Sequence, residues 1–402
     1  MLAYLETKDE SLCCGCRACE QICSQNAISM ISNSEGFLYP RLDMGLCVNC
    51  SACEKVCPQT SPIQKAEPIS IYAVQHSSDE ILGDSSSGGA FRLIADKVIE
   101  LGGCVVGCVF DENLHPIFKI ANSIEELLPM QGSKYLSSDT LNIYEQVKER
   151  LVKGQLVFFT GTPCQCAGVL NYLKKPYDNL LTAEFLCHGV PSQFAFDSYI
   201  SYIAKKYRIK DGKKSIKKYR FRDKKKRGWG LVSSCTFVRK NRIKTKYSFE
   251  LTDSYLYGFL NGYFNRYSCY SCKFRGEKRF ADFTFCDFWG IEKFHPEIDK
   301  TKGVSALSIN TRKADFFKEQ IINNATWIKT EAVNVSEYNQ SLLQECVEKI
   351  PEKRRNIYSL IKENGWESVE KKELRAKHYF VKRIYYAFPL KLQKIIKKVL
   401  KG

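Results

Sequence analysis

The sequence predicts an α+β protein in three parts: a small cysteine-rich head over residues 1–62, an α/β body over 69–310 and a helical, basic C-terminal region over 311–402. Three observations predict it. Nine of the 19 cysteines fall within the first 60 residues, in a repeated spacing. From Ile71 onward short apolar runs alternate with helical patterns. From Lys313 to Lys377 the pattern is one of charged helices, and the chain then ends basic and aromatic.

In the head, Cys13, Cys16, Cys19 and Cys23 have the spacing C-x2-C-x2-C-x3-C, and Cys47, Cys50, Cys53 and Cys57 repeat it just before Pro58. Three thiolates on a tight loop can cap three irons of one cubane. In two-cluster ferredoxins the fourth cysteine of each run ligates the other cluster. The spacing therefore assigns Cys13, Cys16, Cys19 and Cys57 to one 4Fe-4S cluster, and Cys47, Cys50, Cys53 and Cys23 to a second. Cys14 is out of register and reads as free. Zinc is the competing reading, but zinc sites bring paired C-x2-C knuckles rather than triple runs. The polar, Pro-containing stretch Gln59–Pro68 marks the boundary that follows.

The body shows strand-like runs at Ile71, Cys104 and Leu156, and helical patterns at Ala90–Leu101 and Leu141–Val152. The Ser85–Gly89 turn precedes a helix N-terminus, where free N–H groups suit a phosphate; a plain serine cap explains it equally simply. Cys164 and Cys187 each stand at a strand end, and two such ends of one parallel sheet can face the same crevice. Cys269 and Cys272 add a C-x2-C pair.

Seven motifs carry a family resemblance: SSSGGAF (Ser85–Phe91), QGSKYL (Gln131–Leu136), GTPCQ (Gly161–Gln165), CHGVPS (Cys187–Ser192), FRDK (Phe221–Lys224), CYSCKFR (Cys269–Arg275) and DFWG (Asp287–Gly290). In this order they resemble the coenzyme F420 hydrogenase/dehydrogenase beta-subunit family, which includes hydroxymethyl-chlorophyll reductase and ferredoxin-fused bacterial relatives. The resemblance implies that the α/β body is an FAD and iron–sulfur domain, with Cys164, Cys187, Cys269 and Cys272 holding a third 4Fe-4S cluster beside the flavin. It places FAD near Ser87, Gly88 and Gly89, with Lys134 reaching the flavin or its phosphates; a surface salt bridge is the alternative for Lys134. Cys286 stands where the family pattern leads one to expect glycine. His188 is either a proton relay or a hydrogen-bonded structural residue, and Asp282 and Asp287 either shape a loop or move protons. Cys104, Cys108, Cys235 and Cys346 read as buried structural thiols.

Clusters carry single electrons and a flavin can deliver a pair, so the expected function is that of an iron–sulfur flavoprotein oxidoreductase acting on a small organic acceptor. A deazaflavin coenzyme, or a sugar derivative in surface-polysaccharide synthesis, is the substrate the resemblance implies. The alternative is a non-catalytic electron-transfer subunit of a larger redox complex. The expected electron donor is a ferredoxin or a redox partner subunit.

The net charge of +17 is concentrated at Lys205–Arg227 and Lys371–Lys401. The first stretch holds 14 Lys or Arg, with Tyr207, Tyr219 and Phe221 available to stack on bases. Because FRDK lies inside it, docking of an acidic ferredoxin or an anionic substrate is the better reading than nucleic acid. In 389–401 apolar residues follow helical spacing away from lysines, the pattern of a helix on an anionic membrane surface or against a protein. No run of about eighteen apolar residues occurs, and the N-terminal residues lack a signal-peptide pattern, so the expected location is cytoplasmic, with peripheral membrane contact through the basic C-terminus.

Overall fold

The computed structural model describes residues 2–210, 212–339, 349–388 and 392–393. In the head, β1 (Ile28–Ser32) and β2 (Leu38–Leu42) pair antiparallel. Each cysteine loop runs into a four-residue helix, Ala18–Gln21 or Ala52–Lys55. The residue before each helix, Arg17 or Ser51, is left-handed, at φ 61° and 57°. The two cysteine runs therefore share a backbone device as well as a spacing.

The body is built on an eight-stranded sheet. Its strands are β3 (Ser70–His76), β4 (Cys104–Phe110), β5 (Pro116–Ala121), β6 (Val157–Gly161) and β7 (Leu180–Phe185). An antiparallel three-stranded sheet follows in the chain: β8 (Ile216–Arg220), β9 (Val232–Arg239) and β10 (Arg242–Phe249). The chain then returns to the main sheet with β11 (Phe283–Asp287), β12 (Ser305–Ile309) and β13 (Ala325–Thr330), giving the order β13-β3-β12-β11-β7-β6-β4-β5. β4, β6, β7 and β11 are parallel. β3 runs the same way, being antiparallel to β12, which is antiparallel to β11. All five therefore end at one edge, where a crevice forms beyond the carboxyl ends of parallel strands.

The apolar runs at Ile71, Cys104 and Leu156 are β3, β4 and β6, and the helical patterns form Ala90–Glu100 and Ile143–Val152. Strands covered on both faces need continuous apolar sequence, which β6, buried throughout, supplies. Helix Ala90–Glu100 packs with Val105 and Phe158 on one face; Ile143–Val152 and Pro163–Leu173 pack with Val106 and Phe159 on the other. Two elements depart from expectation. The basic stretch contains β8, whose lysines face outward while Ile216 and Tyr219 are buried. The sheet also takes β13 from beyond residue 310, within the segment read as helical, because an edge strand of half-buried and exposed positions lacks a strong apolar signal.

Tyr207, Tyr219 and Phe221 are core residues: Phe221 is fully buried against Phe196, and Tyr207 stacks on Phe237. They are therefore not presented to stack on bases. Helix Ile357–Glu373 inserts Ile361, Trp366 and Val369 into the same core, which also takes Phe37 and Tyr39 of the head. Arg354, fully buried, makes a two-pronged ion pair with Glu35 at 2.8 and 2.5 Å. Among the described residues no helix is long and apolar enough to cross a membrane. The amphipathic pattern at 389–401 lies outside the described residues apart from 392–393, as does Cys346.

Candidate iron–sulfur sites

The head presents two thiol groupings. Cys13, Cys16, Cys19 and Cys57 line one cavity, with Leu2, Tyr4 and Met30 as apolar walls. Cys57 reaches this cavity across the pseudo-twofold rather than staying with its own run. In the other grouping Cys53 lies in the electrostatic range of Cys23 and Cys47, and Cys50 is exposed on the adjoining loop. Burial pushes the Cys13 thiol up to about 11, and the Arg266 guanidinium acts against that rise.

A third grouping lies at the carboxyl edge of the main sheet. Cys164 is the second residue of helix Pro163–Leu173, directly after β6. The turn is held by Gln165, whose side-chain oxygen accepts the Thr162 N–H at 3.1 Å, and the Thr162 hydroxyl lies 3.2 Å from the Cys164 sulfur. Cys187 follows β7, the parallel neighbour of β6. Cys269 sits in the turn Tyr267–Tyr270, where its N–H donates to the Arg266 carbonyl at 2.9 Å. With Cys272 these four line one cavity.

Cys14 lines that cavity too. Its thiol lies beside those of Cys16 and Cys164, and their proximity holds its pKa well down. Cys13 lines the first head cavity alone, whereas Cys14 lines both that cavity and the body cavity. Cys286 lies in β11 opposite Ala306 and is outside this lining, as are Cys104, Cys108, Cys166 and Cys235. His188 Nε2 is 3.1 Å from the Leu260 carbonyl. Asp282 accepts from Thr182 N–H at 2.8 Å and from Thr311 at 2.6 Å, and Asp287 accepts from Arg222 and Trp229; both tie strands and loops together.

A buried cation beside the cysteine groupings, Arg266, has its Nη1 without a hydrogen-bond partner. An orphaned buried donor beside grouped thiols suits an anionic group bound through sulfur.

The residues expected at FAD do not fit that group. The Ser87 hydroxyl donates to the Val304 carbonyl at 2.8 Å, and the Gly88 N–H donates to the Ser305 hydroxyl at 2.9 Å. A Cβ at Gly88 would stand 2.1 Å from the Val74 carbonyl oxygen, so this glycine lets the turn lie on β3 and β12. Gly89 is left-handed (φ +83°) and caps helix Ala90–Glu100. The Lys134 ammonium donates to the carbonyls of Pro129, Met130 and Gly132 at 2.9, 2.9 and 3.1 Å. These donors are engaged within the protein, where a phosphate would need them open.

Comparison with known families agrees with the layout. Residues 154–335 match the family model for the C terminus of the coenzyme F420 hydrogenase/dehydrogenase beta subunit, and residues 12–61 match the 4Fe-4S dicluster domain. Over residues 154–335 the chain resembles the F420 hydrogenase/dehydrogenase beta-subunit family. With its dicluster head the chain is an iron–sulfur electron-transfer protein related to those redox enzymes. Among solved structures it resembles a chain in the xenon-derivatized F420-reducing NiFe hydrogenase complex from Methanosarcina barkeri. The likeness covers 74% of this chain and 94% of that one, at 15% identity and a TM-score of 0.46. No curated protein matches.

Proposed function

We propose that the chain is an oxidoreductase unit with three 4Fe-4S centres, which passes electrons between a redox partner docking at the head and an acceptor at the carboxyl edge of the body sheet. Cys13, Cys16, Cys19 and Cys57 hold the first centre; Cys47, Cys50, Cys53 and Cys23 hold the second. Cys164, Cys187, Cys269 and Cys272 hold the third. Such centres supply one-electron transfer at potentials set by charge, hydrogen bonds and burial. The observation that carries the reading is that Cys14 lines both a head cavity and the body cavity and so brings the two together.

The protein's own part is to exclude water and hold geometry. Thr162 and Gln165 fix the Cys164 turn, Arg266 anchors Cys269, and Leu2, Tyr4 and Met30 keep the first cavity apolar. A small organic acceptor, a deazaflavin or a sugar derivative, is proposed on family resemblance.

Anaerobic reconstitution followed by iron, sulfide and flavin analysis tests the reading. About twelve irons per chain are expected, and about eight would remove the third centre. One FAD per chain would show that other residues bind it. The second reading, an electron-transfer subunit without its own substrate, is favoured by the exposed apolar side chains of Met44, Leu46 and Val48 beside exposed Cys50. Turnover of candidate acceptors by the purified chain with reduced ferredoxin separates the two.

A further inference from the structure

Arg266 is 1% exposed, yet among the described residues it forms no salt bridge with a carboxylate. Its Nε donates to the Cys13 carbonyl at 2.6 Å and its Nη2 to the Leu38 carbonyl at 2.8 Å, while Nη1 is buried with no partner. The guanidinium lies over Tyr39 at 3.9 Å and so close to the head loop that a Cβ at Gly15 would come within 3.0 Å of Nη1. The carbonyl of the same residue holds the Cys269 N–H at 2.9 Å. One buried, unpaired cation thus stands between Cys13 of the first head cavity and Cys269 of the body cavity. Such a charge is costly to bury unless anionic groups face it. Burial works against its charge, and the groups that favour it are, in order, Cys13, Tyr39, Cys14 and Cys269.

We propose that Arg266 is the shared counter-charge of the first and third iron–sulfur centres, setting the reduction potential of both at once. This rests on the three-centre reading above. A cubane held by four thiolates is anionic and gains one further negative charge on reduction, so a fixed cation nearby favours the reduced form and raises the potential. The second centre, held by Cys47, Cys50, Cys53 and Cys23, has no such role for Arg266. Removing the charge therefore acts on two centres out of three, a pattern that a purely structural residue does not produce.

The test is a potentiometric titration, followed by electron paramagnetic resonance, of the reconstituted full chain as wild type, Arg266→Gln and Arg266→Lys. In Arg266→Gln the first and third centres are expected to move to more negative potential while the second stays in place. Arg266→Lys, which keeps the charge, is expected to leave all three near their wild-type potentials. A shift in only one centre, no shift, or an equal shift in all three overturns the proposal. Should Arg266→Gln fail to hold iron, Arg266→Lys still decides, since a negative shift of either centre with the charge retained overturns it. A wild type with only two centres overturns the three-centre reading itself; three centres that ignore Arg266→Gln overturn this inference alone.

Discussion

At Cys14 a single side chain sits between the thiols of Cys16 and Cys164. A cubane takes four thiolates, and five cysteines line the body cavity, so the proposed third centre leaves one thiol there outside its ligand set. Cys187→Ser is expected to lower iron by about four per chain, whereas Cys14→Ser should keep it and change the spectra of the first and third centres. Loss of iron in Cys14→Ser would exchange its role with one of the other four. The dicluster head was legible because a cubane fixes local cysteine spacing. The role of Cys14 was not, since it depends on which way an out-of-register side chain points in the folded chain. Arg266 gave no sequence signal either: what sets it apart is burial without a carboxylate, a tertiary property.

The turn Ser85–Gly89 shows how an element can be read correctly in place and differently in purpose. Its position before a helix was plain from sequence, but the space that Gly88 leaves is filled by Val74 and Ser305 of neighbouring strands. Gly88→Ala is expected to destabilise the protein by about 3 kcal/mol or more, because backbone on both sides must move. A thermal melt checks this; an unchanged melt would mean that the turn stands clear of β3 and β12. The central strands were legible because both faces are covered and the sequence is apolar throughout. β8 and β13 were hidden by lysines at outward positions, where side chains report solvent rather than fold.

For the whole molecule, the segmentation into head, body and C-terminal region follows composition, but the core does not respect it. Phe37 and Tyr39 of the head share one hydrophobic cluster with Phe196 and Trp366, and Arg354 pairs with Glu35 across the same junction. Arg354→Ala would leave Glu35 without its partner and is expected to cost about 3–5 kcal/mol in urea unfolding. Hydrogen exchange should rise first in β1 and β2; an even rise across the main sheet would contradict this. Such cross-chain packing has no local sequence signature, which is why only the segments could be read. The surface position of Cys50 also has a bearing on survival in air. Oxidants reach thiolates in proportion to access, so the centre held by Cys47, Cys50, Cys53 and Cys23 should be destroyed first, taking iron from about twelve to about eight before the enclosed centres respond. Brief aerobic handling would then yield a folded protein that has lost its outermost relay and takes electrons slowly from a protein donor, yet still accepts them from small reductants.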